Sequence, residues 1–491
     1  MEVETTCNTA TLEVYSPSDA NPWDMQKVAH LYRRADFGAT PEMIKEALQK
    51  TPEQVVNQII TEASNTTTTP APAWGYWYKT EMEANGVKNS VAINQTWKDQ
   101  MTTDFLEGNL RDRLTLFWSN HFVTQSTQYV GAANAFQYYN LLQRHSIGNF
   151  KEFTAEIGLG KAMLEYLNGN ENKKESPNEN YARELYELFT LGVDNGYTQD
   201  DITETSRALT GYNSQPEAWG PYVFNEEDFD NNEKTIFGQT GNWGYDDVIN
   251  ILFEQHPDKI AIFICGKLYQ YFVDHEINEI IVKELADIFL ANDFEIAPVL
   301  SRLFKSEHFF DSSTFGVLIK SPIDLMIPFV KELELEYSSF PIITRIKYAS
   351  EDLGQNLLDP IDVKGWRRDT SWIASNTLIA RWDYLELFLR QAWVSNKTVF
   401  QKFAVNIMGG DQASNYNDPD LISKTIVDHL LPNSFTDNAT EYEEALISFK
   451  RKIPENYFDD GSWNLSWEDE VIDQVYDLLL FTINLPEFQL K

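Results

Sequence analysis

The amino-acid sequence predicts an all-α protein, a large assembly of helices with two long irregular loops. Apolar residues recur every three or four positions through most of the chain, which is the period of helices that pack by one face. Sustained alternation of apolar and polar residues, which strands produce, is scarce. The chain is also 42% apolar and 13% aromatic, so it can fill buried cores and is expected to fold.

The size and charge of the chain limit its organisation and its partners. A chain of 491 residues exceeds one compact core, so two or three packed subdomains are expected. The formal net charge is −36. A surface this negative repels nucleic acid and anionic lipid, so neither is an expected partner. The charge suits solubility, a cation-rich medium or a basic partner, and does not choose among them.

Three parts follow one another along the chain. Residues 1–24 are polar and predict a loosely held N-terminal tail. Residues 25–395 predict the main helical region, and 396–491 its C-terminal helical continuation. Two irregular loops interrupt the main region, at about 212–244 and 358–372. The first loop leaves room for a short β-hairpin around the sequence YVFN.

Residues that favour the start of a helix locate the first helices of the chain. One helix begins near Pro22, and its end carries Arg33 and Arg34, which are expected to be solvated arginines of an amphipathic helix. The next begins where Thr40 can cap and Pro41 can occupy the first helical position.

The stretch SPNENYARELYELFTLG (176–192) predicts one short, highly charged helix. Ser176 and Glu179 have the spacing of a capping box. Glu179, Arg183 and Glu187 stand four apart, a ladder of opposite charges in which each pair adds about 0.2–0.5 kcal/mol. Helix formation therefore explains most of this stretch.

Glu184 is the residue of this stretch that helix formation explains least. It neighbours Arg183 without joining the ladder, and a half-buried carboxylate beside an arginine is a group that functional sites use. Asn178 and Asn180 are mediocre helix formers with no evident structural task. We interpret Glu184 as a candidate catalytic residue, and Asn178, Asn180 and Arg183 as candidate binding residues.

Two other places could complete a site. His121 is predicted on the apolar face of its helix, where a lone histidine is more often a hydrogen-bonded core residue. In the functional alternative, Asn120 and His121 point into the same cleft as Glu184. Trp366, Arg367 and Arg368 in the second loop either line a pocket or belong to a simple chain reversal.

The sequence predicts no metal site and no cofactor, and it predicts a protein without membrane insertion. Cys7 and Cys265 are the two cysteines, which excludes a disulfide framework and a CxxC zinc site. HEINE (275–279) lacks the second histidine of a zinc-protease helix. No run of eighteen apolar residues and no signal peptide are visible. As written, the chain is expected in the cytoplasm; a periplasmic or exported protein is the alternative if a leader was removed.

Several motifs resemble, in order, those of the bacterial family named domain of unknown function 1800. The segment PNENYARELYELFTLGVDNGYTQDDITETSRALTGY resembles its signature segment. The resemblance covers essentially residues 27 to 491. The other motifs that carry it are KVAHLYRRADFGAT (27–40), LFWSNHFVT (116–124), KTIFGQTG (234–241), HPDKIAIFICGKLYQYFV (256–273), DVKGWRRDTSWI (362–373) and the terminal LPEFQLK.

The resemblance implies a mostly helical protein of a family without an established activity. Family members are commonly encoded beside the family named domain of unknown function 1501, which resembles secreted sulfatases and phosphatases. Our first hypothesis is therefore a binding or assembly protein that acts with such a partner on extracellular or cell-surface polymer. The alternative is a hydrolase-like enzyme that uses Glu184 and Glu187 with His121.

Two departures from the family pattern favour the binding hypothesis. The family usually has histidine where this chain has Phe189, and a His-Asp pair where this chain has Phe229 and Asp230. If those histidines were metal ligands or acid-base groups, this chain has lost them.

Overall fold

The computed structural model describes residues 11–87, 90–128, 131–410, 416–436 and 439–491. Within these ranges it contains 23 α-helices and a single two-stranded sheet. The predicted all-α fold is confirmed.

The first helices are α1 Met25–Ala35, α2 Pro41–Leu48, α3 Pro52–Asn65, α4 Lys79–Ala84, α5 Ser90–Glu107, α6 Leu110–Ser119, α7 Ala133–His145, α8 Phe150–Gly158, α9 Lys161–Tyr166, α10 Asn180–Glu184, α11 Gln199–Ala208 and α12 Tyr245–Gln255. The others are α13 Pro257–Phe272, α14 Glu279–Ala291, α15 Ile296–Phe304, α16 Pro322–Glu332, α17 Ile342–Asp352, α18 Ser375–Asn396, α19 Thr398–Ile407, α20 Pro419–Leu430, α21 Thr440–Lys450, α22 Asn456–Asp459 and α23 Glu468–Ile483. Short 3₁₀ helices span Gly169–Glu171, Glu226–Asp228, Ser312–Thr314, Asp369–Trp372 and Pro486–Gln489, and a π-helix spans Leu185–Thr190.

One continuous hydrophobic core joins the two predicted helical parts. Its buried side chains run from Leu12 to Phe488. Helices of the C-terminal part contact helices near the start of the chain, because α20 packs on α1 and α19 packs on α2. The residue boundaries of the predicted parts stay a prediction.

The described part of the N-terminal segment is anchored instead of loose. Tyr15 donates its backbone N–H to the carbonyl of Lys305 at 2.8 Å, and Glu13 accepts from the N–H of Glu307 at 2.8 Å. Leu12 and Tyr15 are buried. Cys7 lies outside the described residues.

The hairpin of the first irregular loop lies later than YVFN. Its strands are β1 Lys234–Ile236 and β2 Gln239–Gly241, and they are antiparallel. Phe237 and Gly238 between them have φ angles of 48° and 76°, the left-handed pair that a tight hairpin turn needs. Within YVFN, Val223 forms only an isolated bridge with Ser214.

The predicted cap at Ser176 is wrong. Helix α10 begins at Asn180, and Ser176 pairs with Lys173 in an isolated bridge. The preceding turn is held by asparagines, since Asn172 Oδ1 accepts from the N–H of Asn178 at 2.8 Å. Asn178 Oδ1 accepts in turn from the N–H of Asn180 at 2.9 Å. Asn178 thus has the structural task that its helix propensity did not indicate.

The prediction that Arg33 and Arg34 are solvated is also wrong, since they are 4% and 0% exposed. Arg33 binds both carboxylate oxygens of Glu332, at 2.7 and 2.9 Å. Arg34 donates to the carbonyls of Thr314 at 2.8 Å and Lys491 at 2.7 Å. These partners lie hundreds of residues away along the chain, so the local pattern could not indicate them.

Candidate functional site

A partly enclosed cavity of about 230 Å³ lies where the loop 358–372 passes the end of α6, the end of α13 and the start of α16. We call it the arginine cavity, because Arg367 and Arg368 line it together with Tyr271 and Lys491. The predicted candidates Asn120, Trp366 and Arg367 all line it.

Asn120 holds the loop against the end of α6. Its side-chain oxygen accepts from the backbone N–H of Trp366 at 2.6 Å, and Trp366 donates its indole N–H to the carbonyl of Asn356 at 3.0 Å. Gly365 permits this approach: its φ is 91°, and a Cβ there would lie 2.1 Å from Asn120 Oδ1. The two loop arginines therefore follow a fixed turn.

The guanidinium groups of Arg367 and Arg368 make no hydrogen bond or ion pair with another residue that the structure describes. Both residues are exposed to solvent, although enough protein lies around Arg368 to desolvate its guanidinium in part. A side chain that faces a cavity has this combination. Burial lowers the pKa of Arg368, against the weaker opposite effect of Tyr271.

The cavity wall includes a buried ion cluster. Asp324 accepts from Arg113 and, at 2.7 Å, from Lys491 Nζ. Burial opposes ionisation of Asp324, but Arg113 and Lys491 outweigh it and hold the pKa of this carboxyl well below its usual range. Arg34 binds the backbone carbonyl of Lys491. The Asp324 carboxylate thus lies among three buried cations, namely Arg34, Arg113 and Lys491.

Tyr271 connects this cluster to the cavity. It lines the cavity, and its hydroxyl is enclosed without a hydrogen-bond partner among the described residues. The guanidinium of Arg113 and the ammonium of Lys491 lie 5.0 and 5.5 Å from its ring centroid, within the range of cation–π attraction. The cavity is therefore cationic inside a protein whose net charge is strongly negative.

His121 belongs to the core beside this cavity. It follows the C-cap Asn120 of α6 instead of lying on the helical face, and it is 2% exposed. Its Nε2 lies 3.0 Å from the carbonyl oxygen of Phe189, which can only accept, so Nε2 carries the proton. Lys267 Nζ lies 3.0 Å from Nδ1 and donates to it. Burial and the charge of Lys267 lower the pKa of His121 well below its ordinary value.

Glu184 lines a second, more open depression of about 350 Å³, which we call the Glu184 cleft. Asn180 and the loop residues Asp362 and Val363 also line it. The Glu184 carboxylate forms no hydrogen bond or ion pair with another described residue. Burial and the charge of Glu187 raise the pKa of Glu184, against the pull of Arg183.

The charged ladder forms as predicted. Arg183 binds Glu179 at 2.9 Å and Glu187 at 3.4 Å. Glu187 is therefore partnered, in contrast to Glu184.

The predicted site residues thus separate into several places. Three line the arginine cavity and two line the Glu184 cleft, while His121 is enclosed in the core. Sequence reasoning missed Tyr271, Asp324 and Lys491. Arg368 was recognised together with Trp366 and Arg367, because the three residues are consecutive in the same turn-rich loop.

Among the described residues, no group of three or more His, Cys, Asp or Glu side chains is placed to hold a metal ion. Over the same ranges, no helix is both long enough and apolar enough to cross a membrane.

We expect Glu184→Gln to leave the melting temperature at pH 7 unchanged or slightly raised, because the ionised carboxylate is partly desolvated, unpaired and repelled by Glu187. A group whose pKa is raised by folding destabilises the fold when it is ionised. The effect of the variant should therefore vanish as the pH falls below the ordinary pKa of 4.5. The matched control is Glu187→Gln, which breaks the pair with Arg183 and should cost a few tenths of a kcal/mol. A larger loss of stability at Glu184 than at Glu187 in thermal unfolding would contradict this expectation.

The fold and the site define a predominantly helical protein with a partly enclosed, arginine-lined cavity. The family described as "Protein of unknown function (DUF1800)" matches residues 30–490, nearly the whole chain. The chain belongs to this family, as its motifs indicated. No curated protein and no solved structure matches it.

Proposed function

We propose that this protein is a binding protein whose arginine cavity takes a ligand with an anionic group. The observation that carries the proposal is that Arg367 and Arg368 line the cavity without an anionic partner among the described residues. A partly desolvated guanidinium that lacks a counter-ion is unfavourable, and an anion that binds it offsets this cost. Arginine is suited to the task, because its planar fork matches carboxylate, sulfate and phosphate oxygens.

The other walls suggest what the anionic group is attached to. Phe117, Tyr271, Trp366 and Trp372 contribute apolar surface to the cavity. Ligand pockets commonly combine such surface with a few polar groups that fix orientation. Asp369 also lines the cavity and would repel a second negative group. The geometry therefore supports a ligand with one carboxylate, sulfate or phosphate on a ring or apolar body.

The test is binding of simple probes at constant ionic strength, measured by calorimetry with sodium sulfate, sodium phosphate and sodium benzoate. We expect saturable binding of at least one probe to the wild-type protein. Arg368→Gln should weaken it about ten- to a hundredfold, because a hydrogen bond to a charged group is worth about 1.5–3 kcal/mol.

The matched control is Arg144→Gln, which removes an arginine that is already paired with Glu156 on the surface. This variant should bind like the wild type. The proposal is refuted if none of the three probes binds saturably to the wild type. It is also refuted if saturable binding persists in the double variant Arg367→Gln/Arg368→Gln.

The hydrolase alternative has less support from the geometry. It needs His121 to act with Glu184 and Glu187, yet His121 is enclosed and bonded at both ring nitrogens. Glu187 is paired with Arg183. A general acid or base must reach its substrate within hydrogen-bond distance, directly or through one water.

The sulfatase-like partner stays a prediction from the family resemblance. A sulfated or carboxylated polymer would carry the kind of anionic group that the cavity is proposed to take, so the two ideas are compatible. Co-purification from the native host tests the association, and a preparation without any protein of the family named domain of unknown function 1501 would count against it.

A further inference from the structure

Behind the wall of the arginine cavity lies a lysine that the proposed binding site does not use. Lys267 is on α13, one turn before Tyr271, and its partner His121 follows Asn120 directly; Asn120 and Tyr271 both line the cavity. Lys267 Nζ donates to His121 Nδ1 at 3.0 Å and to the carbonyl of Leu188 at 3.1 Å. It also lies 4.6 Å from the ring centroid of Phe263.

All of these partners of Lys267 are neutral. Leu188 and Phe189 lie in the π-helix Leu185–Thr190, and their carbonyls accept from Lys267 and His121 respectively. The proton on His121 Nε2 leaves Nδ1 free to accept, so the histidine orients the lysine amine without supplying negative charge. Lys267 is partly buried and has no carboxylate partner among the described residues.

The charge that acts on this pair from the cavity side is Arg368. Its positive charge disfavours protonation of both His121 and Lys267. Burial together with Arg368 lowers the pKa of Lys267 to about 7. Lys491 also borders the cavity, but its ammonium is bound to the Asp324 carboxylate at 2.7 Å. Lys267 is thus a lysine beside the cavity whose protonation is disfavoured by the charge of Arg368.

We infer that Lys267 is an affinity-determining residue of the arginine cavity, and that anion binding at Arg367 and Arg368 is coupled to proton uptake by its amine. The inference rests on the proposed function. A bound anion offsets the field of Arg368, so the ammonium form becomes more favourable in the complex than in the free protein. By linkage, the protonated protein then binds the anion more tightly.

The sign of the pH dependence follows. Below about pH 7 Lys267 is an ammonium in both states, and the affinity should be highest and flat. As the pH rises, the free protein loses this proton before the complex does, so the affinity falls. The total fall is about tenfold for each unit by which binding raises the pKa of Lys267.

The experiment is calorimetry with sodium sulfate between pH 6.5 and 9, repeated at pH 8 in two buffers that differ in ionisation enthalpy. Sulfate does not titrate in this range, so any proton uptake belongs to the protein. We expect net uptake by wild-type protein at pH 8. Lys267→Met should bind with a low, pH-independent affinity, and Lys267→Arg, which stays charged, with a higher, pH-independent affinity.

The outcomes separate this inference from the proposed function. Sulfate binding by the wild type without proton uptake overturns the inference and leaves the function standing. Uptake that persists in Lys267→Met also overturns it and points to Lys491. If sulfate does not bind, the inference is overturned, and the proposed function stands or falls with the binding of phosphate and benzoate. The wild-type measurement needs no variant, so poor folding of a variant does not remove the test.

Discussion

Replacing Asp324 with asparagine should lower the free energy of unfolding by about 3–5 kcal/mol, the usual cost of removing one partner from a buried ion pair. Asp324 is 5% exposed and accepts from Arg113 and Lys491, which are 0% and 5% exposed. Without the carboxylate, two buried cations lose their counter-ion while Arg34 stays close by. Urea unfolding of the variant beside the wild type measures the loss.

The matched control is Asp287→Asn, the same chemical change in an exposed pair with Lys283 in which both side chains are 58% exposed. Exposed pairs contribute about 0–1 kcal/mol, so this variant should be nearly neutral. The pH dependence adds a check. Folding depresses the pKa of Asp324, so its contribution is present above its unfolded pKa of about 3.9 and is lost as the pH falls below that value. Equal losses for the two variants at pH 7 would show that Asp324 is not the counter-ion of the cluster.

Glu332→Gln should also cost about 3–5 kcal/mol, because it leaves Arg33 buried without its anion. Arg33 donates Nε and Nη2 to the two carboxylate oxygens, and the side chains are 4% and 6% exposed. The pair joins α1 to the end of α16, more than 290 residues apart in the chain. Thermal or urea unfolding reports the effect.

The surface offers a close control in Arg144 and Glu156, another arginine–glutamate pair with two hydrogen bonds, whose side chains are 44% and 43% exposed. Glu156→Gln makes the same carboxylate-to-amide change in a solvent-exposed pair. It should lower the free energy of unfolding by less than about 1 kcal/mol. If Glu332→Gln costs no more than Glu156→Gln, burial does not govern the strength of these pairs in this protein.

The helices that the sequence predicted well are those whose signals are local. Thr40 accepts from the N–H of Met43 at the start of α2, with Pro41 in the first turn. Glu179, Arg183 and Glu187 form their ladder because residues four apart on a helical stretch are neighbours in any fold. Such interactions need only the few residues around them.

The predictions that failed had a distant or competing partner. Ser176 has a good capping sequence, but the asparagine turn around Asn172 and Asn178 displaces the start of the helix. Arg33 and Arg34 look like surface residues of an amphipathic helix, but Arg33 pairs with Glu332 of α16 and Arg34 donates to the carbonyl of Lys491. No spacing rule relates such distant positions.

The same difference between local and long-range interactions applies to the candidate site. Trp366 and Arg367 were found because an aromatic–arginine pair in a turn-rich loop is a local pattern. Their convergence with Asn120, Tyr271 and Lys491 depends on how that loop lies across α6 and α13.

Periodicity, composition and short-range capping were sufficient to establish a helical protein, most of its loops and several of the residues that line its cavity, because each of these depends on neighbours within about one helical turn. The burial of the arginines, the separation of His121 from Glu184 and the cationic character of the cavity arose from tertiary packing. Burial and charge pairing depend on which distant side chains share a small volume, and that information is spread over the whole chain.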